Sequence, residues 1–80
     1  MTVAELNELC ADPKRIGARM RALRKARGLT SLQLAERIGI ARGNYCRCER
    51  GIHQQSLWIL ARFCTALEMR LVDLLEESIP

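Results

Sequence analysis

The chain has few histidines and few aromatic residues. Histidine is common in enzyme active sites, and aromatic residues are common in the cores of sheet proteins. The chain contains one histidine, one tryptophan, one tyrosine and one phenylalanine among 80 residues. With a single histidine, no paired acid and base and no glycine-rich phosphate loop, no catalytic constellation is evident, and we expect no enzyme. No segment alternates apolar and polar residues as a half-buried strand does. These absences predict an all-α protein.

Long apolar runs are also missing from the sequence. The longest spans residues 57–61, whereas a membrane-spanning helix needs about 20 apolar residues. No segment resembles a secretory signal, so we expect a cytoplasmic protein with no membrane partner. In that reducing compartment the cysteines are expected to remain free thiols; they are Cys10, Cys46, Cys48 and Cys64.

Positive charge is concentrated in the middle of the chain. Residues 1–12 carry three acids and no base, and residues 13–50 carry eleven Lys or Arg against two Glu. A basic block beside acidic ends is typical of a protein that approaches a polyanion from one side. A solvent-exposed basic helix with no partner would also explain this charge. The pair of short helices in the same block, described below, favours a polyanion partner.

Local signals divide the chain into helices. Thr2 and Glu5 fit a capping box, so residues 1–12 form either a short helix or an N-terminal arm. Asp12 before a proline is a stronger start signal, and residues 13–78 are predicted to form a single domain. Apolar residues then recur at helical spacing until a glycine at position 28; they are Ile16, Met20 and Leu23.

Residues 28–51 carry the strongest local pattern, two short helices joined by a tight turn. Thr30 and Gln33 form a second capping box. Gly39 supplies a residue that accepts a positive φ at the bend, and Tyr45 anchors the helix that follows. Two short helices in a basic segment are how many small proteins present side chains to base edges in DNA.

Two further helices complete the predicted architecture. Ser56 caps the first of them, and its core stripe is Leu57, Leu60, Phe63, Cys64 and Leu67. The last helix is short, at about residues 71–77, and adds Leu71, Leu74 and Leu75 to the core.

Residues 16–75 resemble the helix-turn-helix domain of lambda repressor and Cro proteins, the XRE family. The matching residues follow the family's order almost without gaps; they are Arg19, Leu23, Arg24, Gly28, Leu29, Thr30, Leu34, Ala35, Ile38, Gly39, Ile40, Glu49, Arg50, Gly51, Leu60, Leu67 and Leu74. The resemblance implies a compact five-helix domain with the helix-turn-helix at about residues 31–50. It also implies a bacterial or phage-encoded transcriptional regulator that binds double-stranded DNA.

The resemblance further implies a buried ion pair between Arg24 and Glu49. The residues themselves support it, because a glutamate on an inward-leaning turn needs a partner and arginine offers two parallel donors.

The chain departs from the family pattern at five positions. Ser31 stands where a glutamine commonly touches phosphate. Ala41 stands where a hydroxyl often caps the recognition helix, and Gly43 lowers the helix propensity further. Gln55 replaces a proline, and Glu68 replaces a glycine between the last two helices. We therefore expect those two helices to run together more than in relatives.

The recognition helix, about residues 42–50, is predicted to lie in the major groove. Arginine pairs with guanine through two hydrogen bonds, so Arg42 and Arg47 are the strongest candidates for base readout. The full predicted base-reading set is Arg42, Gly43, Cys46 and Arg47. Contacts to the DNA backbone are predicted for Ser31, Gln33, Asn44, Arg50, His53, Gln54, Gln55 and Ser56. For Asn44, adenine readout is the alternative.

Most relatives bind pseudo-palindromic sites as homodimers, and one side of the fourth and fifth helices offers an interface. The predicted interface lies beside the core stripe and consists of Trp58, Ala61, Arg62, Thr65, Met69 and Val72. In the alternative, Trp58 packs over the chain's own N-terminal segment.

No metal or cofactor is expected. Cys46 and Cys48 point about 200° apart on a helix, and with His53 they still lack a fourth ligand, which argues against zinc. An inert thiol is favoured over a redox switch at Cys46. The rival function is a protein-interaction module, antitoxin-like or an adaptor, that keeps the fold with weak or no specific DNA readout.

Overall fold

The computed structural model describes Thr2 and residues 12–75, and these residues form five helices and no strand. The helices are α1 (Pro13–Ala26), α2 (Ser31–Ile38), α3 (Arg42–Arg50), α4 (Leu57–Ala66) and α5 (Leu71–Leu75). The all-α, five-helix prediction is confirmed. The predicted N-terminal arm or short helix lies outside the described residues, apart from Thr2 and Asp12, and so do residues 76–80.

Three helices begin where the sequence places a capping side chain. Asp12 accepts a hydrogen bond from the backbone N–H of Arg15 at 3.2 Å. Thr30 and Gln33 cap each other's backbone N–H groups in the predicted reciprocal box, at 3.1 and 2.9 Å. Ser56 caps α4 in the same manner. These side chains satisfy donors that a helix start leaves unpaired.

Two glycines set the geometry around α3. Gly39 ends α2 with φ +90°, a left-handed conformation that L side chains rarely adopt. Gly17 of α1 lies so close to α3 that a Cβ there would overlap the carbonyl oxygens of Cys48 and Glu49. The two helices therefore approach each other backbone to backbone.

The core is built from all five helices, with α1 packed on α3 and α5 and with α2 packed on α3 and α4. Its buried apolar side chains are Ile16, Met20, Leu34, Ala35, Ile38, Tyr45, Leu60, Phe63, Cys64, Leu67, Leu74 and Leu75. Cys48 is half-buried against this cluster. The predicted core stripe of α4 is wrong at Leu57, which is 67% exposed. Leu57 is the first residue of α4, so its side chain lies at the helix end and beyond the core.

The last two helices do not run together, contrary to the expectation from Glu68. The helix α4 ends at Ala66, and Glu68 adopts φ +55°. The backbone N–H of Met69 then donates to the carbonyl of Cys64 at 2.9 Å and closes the turn. The prediction failed because burial of the neighbouring Leu67 and this hydrogen bond fix the turn, whatever the preference of the residue at position 68.

The predicted ion pair joins α1 to the last turn of α3. The Arg24 Nε donates to one Glu49 oxygen at 2.7 Å, and its Nη2 donates to the other at 3.1 Å. Its Nη1 donates to the carbonyl of Leu29 at 2.8 Å, so the guanidinium also holds the segment before α2. The hydrogen bond to Glu49 raises the pKa of Arg24. The two side chains are only 12% and 9% exposed, so the pair is largely shielded from solvent.

Tyr45 lies fully buried next to this pair. Burial, and then the neighbouring Glu49 carboxylate, raise the pKa of its phenol. Within the described residues its hydroxyl makes no hydrogen bond of ordinary geometry. Tyr45 is therefore a neutral anchor under α3, in agreement with its predicted role.

Three further arginines join helices by donating to backbone carbonyls. The contacts are Arg19 Nη2 to Asp73 O at 3.3 Å, Arg27 Nη1 to Leu67 O at 2.6 Å and Arg62 Nη1 to Ile38 O at 2.7 Å. Carbonyls at the C-terminal end of a helix have no partner within the helix, and the helix dipole favours a cation there. Part of the basic composition thus stabilises the fold.

No helix in the described part of the chain is long and apolar enough to cross a membrane.

Replacing Glu68 with glycine should stabilise the protein. A left-handed conformation costs an L-residue about 1–2 kcal/mol, and glycine loses part of that gain through its freer unfolded chain. We expect Glu68→Gly to raise the free energy of unfolding by about 1 kcal/mol in urea denaturation. Glu68→Ala is the control, because it removes the same charge and keeps the backbone cost. Equal stabilities of the two variants would contradict the prediction.

Breaking the buried ion pair should destabilise the protein strongly. Glu49→Ala leaves the Arg24 guanidinium buried without its carboxylate, so we expect the free energy of unfolding to fall by about 3 kcal/mol. The double variant Arg24→Leu/Glu49→Leu removes both charges and should be more stable than Glu49→Ala. Urea denaturation measures both, and a loss below about 1 kcal/mol for Glu49→Ala would show that the pair is not effectively buried.

Candidate nucleic-acid interface

The turn between α2 and α3 is tight, as the sequence predicts, and spans three residues. The helix α2 ends at Ile38 and α3 begins at Arg42, with Ile40 half-buried against the core. The N-cap of α3 is Ala41, which provides no side-chain hydrogen bond. The start of α3 therefore lacks the local stabilisation that α1, α2 and α4 have.

One side of α3 is exposed, and it contains most of the predicted contact residues. We call this side the reading face; it consists of Arg42, Gly43, Asn44, Cys46, Arg47 and Arg50, of which all but the half-buried Cys46 are exposed. The opposite side contributes Tyr45 to the core and Glu49 to the ion pair. The reading face therefore cannot turn inward without breaking both.

Ser31 and Arg42 lie in contact across the two helices. The Nε of Arg42 donates to the Ser31 hydroxyl at 3.2 Å. This bond uses the inner edge of the guanidinium and leaves its two terminal amino groups for a ligand. Sequence reasoning assigned Ser31 to phosphate alone and missed the contact, because nothing local connects residues 31 and 42.

A cleft of about 350 Å³ lies between α1, the start of α2 and α3. Its lining residues are Arg21, Arg24, Ser31, Cys46, Glu49 and Arg50. Since Arg24 neutralises Glu49, the cleft has a net positive charge from Arg21 and Arg50. It brings together three predicted DNA contacts, Ser31, Cys46 and Arg50, and adds Arg21.

The residues predicted to contact the DNA backbone from the loop before α4 are exposed, with one exception. His53, Gln54 and Ser56 are exposed, and so is Gln33 in the first turn of α2. Gln55, in contrast, is only 6% exposed.

The amide of Gln55 is committed inside the protein. Its Nε2 donates to the carbonyls of Pro13 and Cys48 at 2.8 and 2.9 Å. A side chain buried in this way is not available to DNA, so the predicted contact of Gln55 is corrected to a structural role. It joins the start of α1 to the end of α3, where the backbones of Gly51 and Lys14 also meet closely.

The residues of the predicted interface lie on α4, on α5 and in the turn between them, and none is fully buried. We call this predicted set the dimer face; it consists of Trp58, Ala61, Arg62, Thr65, Met69 and Val72. Trp58 is 52% exposed, Ala61 and Thr65 are exposed, and Met69 and Val72 are half-buried. Arg62 lies 5.6 Å from the Trp58 ring centroid, in cation–π contact. The exposed Leu57 adds apolar area that sequence reasoning assigned to the core.

The described thiols have different environments. Burial raises the pKa of Cys64 to about 11, and burial followed by the charge of Glu49 raises the pKa of Cys48. Cys46, Cys48 and Cys64 are all free. Among the described residues no three His, Cys, Asp or Glu side chains cluster as metal ligands would.

Comparison with known proteins gives a consistent result. The family model described as Helix-turn-helix domain matches residues 15–77. No curated protein matches the chain. Among solved structures, the restriction-modification controller protein C.AhdI from Aeromonas hydrophila is 36% identical, with a TM-score of 0.76, over 80% of this chain and 97% of C.AhdI.

Two crystal structures of the clp gene regulator ClgR from Corynebacterium glutamicum are also similar. Each is 33% identical over 79% of this chain, with TM-scores of 0.76 and 0.75 and with 67% and 82% of the ClgR chain covered. The family match covers most of the chain, including all of α2 to α5. The chain is therefore a member of the helix-turn-helix domain family, of the lambda repressor and Cro type, with the fold of a DNA-binding regulator and not of an enzyme.

Proposed function

We propose that this protein is a sequence-specific transcriptional regulator that binds a pseudo-palindromic operator as a homodimer, with α3 of each copy in the major groove. The observation that carries the proposal is the reading face, where Arg42 and Arg47 lie exposed on a helix anchored from behind by Tyr45 and Glu49. Similarity to C.AhdI, described as a controller protein, supports a regulatory role. The proposed location is the cytoplasm, on nucleoid DNA.

Base readout is assigned to the reading face, with Arg42 and Arg47 as guanine readers. The contact between Arg42 and Ser31 supports this, because a guanidinium held through Nε presents its two terminal amino groups together. Guanine O6 and N7 accept such a pair in the plane of the base. Gly43 then allows the helix backbone to approach the DNA closely, and Cys46 provides apolar contact with a base. Neither residue provides a polar contact to a base edge.

Contacts to the DNA backbone are assigned to Asn44 and Arg50 of the reading face and to residues around it. Ser31, Gln33, Asn44, Arg50, His53, Gln54 and Ser56 are available, and Arg21 joins them through the cleft. Backbone contacts fix the register of α3 without reading sequence. Their number determines the salt dependence of binding.

Dimerisation is assigned to the dimer face, where exposed Trp58 and Leu57 provide apolar area. A symmetric pair formed through one face of each copy places two recognition helices about 34 Å apart, or a multiple of that, on one side of the duplex. The operator should then consist of two inverted half-sites.

A protein-interaction module without DNA readout is the second candidate. It is favoured by the short side chains at the start of α3, Ala41, Gly43 and Cys46, which leave few polar groups for base edges. A salt titration distinguishes the two. If the protein neutralises six or more phosphates, its affinity for DNA should fall by a factor of about 10³–10⁵ between 50 and 200 mM salt. If it binds only a protein partner, no DNA binding should be measured at either salt concentration.

Substitution of a base reader should affect specificity and not only affinity. With the operator taken from selection on a random DNA pool, Arg47→Ala should lose about tenfold or more at one base position, because a bidentate guanine contact is removed. The matched control is Gln54→Ala, a backbone contact, which should weaken binding to all sequences by the same modest factor. Binding assays on a panel of operator variants measure both. Equal losses for Arg47→Ala on every variant would refute its role in base readout.

The oligomeric state tests the dimer face. Wild-type protein should sediment as a dimer at tens of micromolar, and Trp58→Ser should raise the dissociation constant by about tenfold or more, since central aromatic residues dominate interface energies. Leu32→Ser is the control, because Leu32 is similarly exposed, at 49% against 52% for Trp58, and lies on α2. A monomeric wild type at these concentrations, or equal effects of the two variants, would rule out the proposed interface.

A further inference from the structure

Arg62 touches two regions of the molecule that have separate tasks in the proposed function. It extends from α4, where its guanidinium lies 5.6 Å from the centroid of the Trp58 ring on the dimer face. Its Nη1 donates to the carbonyl of Ile38, the last residue of α2, at 2.7 Å. The same nitrogen would lie 3.2 Å from a Cβ built on Gly39. The head group therefore packs directly on the turn that leads into α3.

The turn needs a donor at this point. The backbone N–H groups of Gly39 and Ile40 both donate to the carbonyl of Ala35, at 2.8 and 3.1 Å. The carbonyl of the fully buried Ile38 receives its hydrogen bond from Arg62. A cation at the C-terminal end of a helix is also favoured by the helix dipole. Arg62 thus holds the end of α2 from outside the helix-turn-helix.

The helix that follows this turn has weak support of its own. Its N-cap, Ala41, makes no side-chain hydrogen bond, and Gly43 lowers its helix propensity. Within the described part of the chain, the one side-chain hydrogen bond between α2 and the first turn of α3 is the exposed one from Arg42 to Ser31. Small changes in the turn are therefore transmitted directly to the position of Arg42.

We propose that Arg62 is a positioning residue for DNA readout: by bonding the Ile38 carbonyl, it fixes the turn and thereby the direction in which α3 presents Arg42. The inference rests on the proposed function and adds to it a residue that acts from the dimer face without touching DNA. Trp58 packs on the guanidinium and restricts its position. A dimer contact at Trp58 therefore bears directly on the group that holds the turn.

The chain offers a matched control in Arg27. Its Nη1 donates to the carbonyl of Leu67, the C-cap of α4, at 2.6 Å. Arg27→Gln and Arg62→Gln each remove one positive charge and one arginine-to-carbonyl bond at a helix end. Of these two arginines, only Arg62 bonds to the helix-turn-helix. A general loss of charge or stability therefore affects both variants, whereas loss of positioning affects only Arg62→Gln.

The experiment compares wild type, Arg62→Gln, Arg62→Lys and Arg27→Gln. Operator affinity is measured at protein concentrations well above the dimer dissociation constant of each variant, which sedimentation provides. Arg62→Gln should bind the selected operator about tenfold more weakly than Arg27→Gln, the effect expected from loss of a bond to a charged donor. Arg62→Lys keeps the positive charge but places it on one ammonium nitrogen, and it should recover part of the loss.

Hydrogen exchange in the DNA-free protein locates the effect. In Arg62→Gln the amides of Gly39 and Ile40 should exchange faster by about tenfold, while in Arg27→Gln the faster amide should be that of Met69, which bonds the end of α4. Equal operator affinities of Arg62→Gln and Arg27→Gln would overturn the proposal. So would unchanged exchange at Gly39 and Ile40, or a deficit that disappears when dimers are saturated. Failure of the wild type to select any DNA sequence would instead refute the proposed function, and the exchange data would still report on the turn.

Discussion

The bidentate pair between Arg24 and Glu49 is the interaction on which the rest of the structure depends. The recognition helix is nine residues long, has no side-chain cap and contains a glycine in its first turn, so it cannot be stable by itself. Glu49 attaches its last turn to α1, and the remaining donor of Arg24 holds the segment that leads into α2. One guanidinium therefore sets the position of both helices of the motif relative to the first helix.

Much of the fold could be predicted because its signals are local. The capping box of Thr30 and Gln33, the left-handed Gly39 and the burial of Tyr45 follow from signals within a few residues, and the structure has them as expected. The wrong predictions concern positions whose environment is set by tertiary packing, which local sequence signals do not contain. Leu57 fits the apolar period of α4 but lies at its exposed end, and Glu68 takes a left-handed turn that its tertiary neighbours impose.

The candidate site was predictable in its outline and not in its internal contacts. Helical periodicity assigns Arg42 and Arg47 to the exposed side of α3. The bond from Arg42 to Ser31 and the burial of Gln55 depend on how separate helices meet. A count of charges in the sequence has the same limit, because it does not distinguish arginines that donate to helix ends from arginines that face solvent. The charge available to DNA is therefore smaller than the sequence total indicates.

The glycines of this protein also determine where side chains can be added without disturbing the core. Gly17 leaves no room for a side chain, since α1 and α3 meet there through their backbones. Gly43 lies on the reading face with no heavy atom within 4 Å of the place a Cβ would occupy. Any side chain introduced at position 43 would project away from the core. Under the proposed function such a side chain would replace the close approach of Gly43 to DNA, so variants at this position should change the operator preference while the fold is left intact.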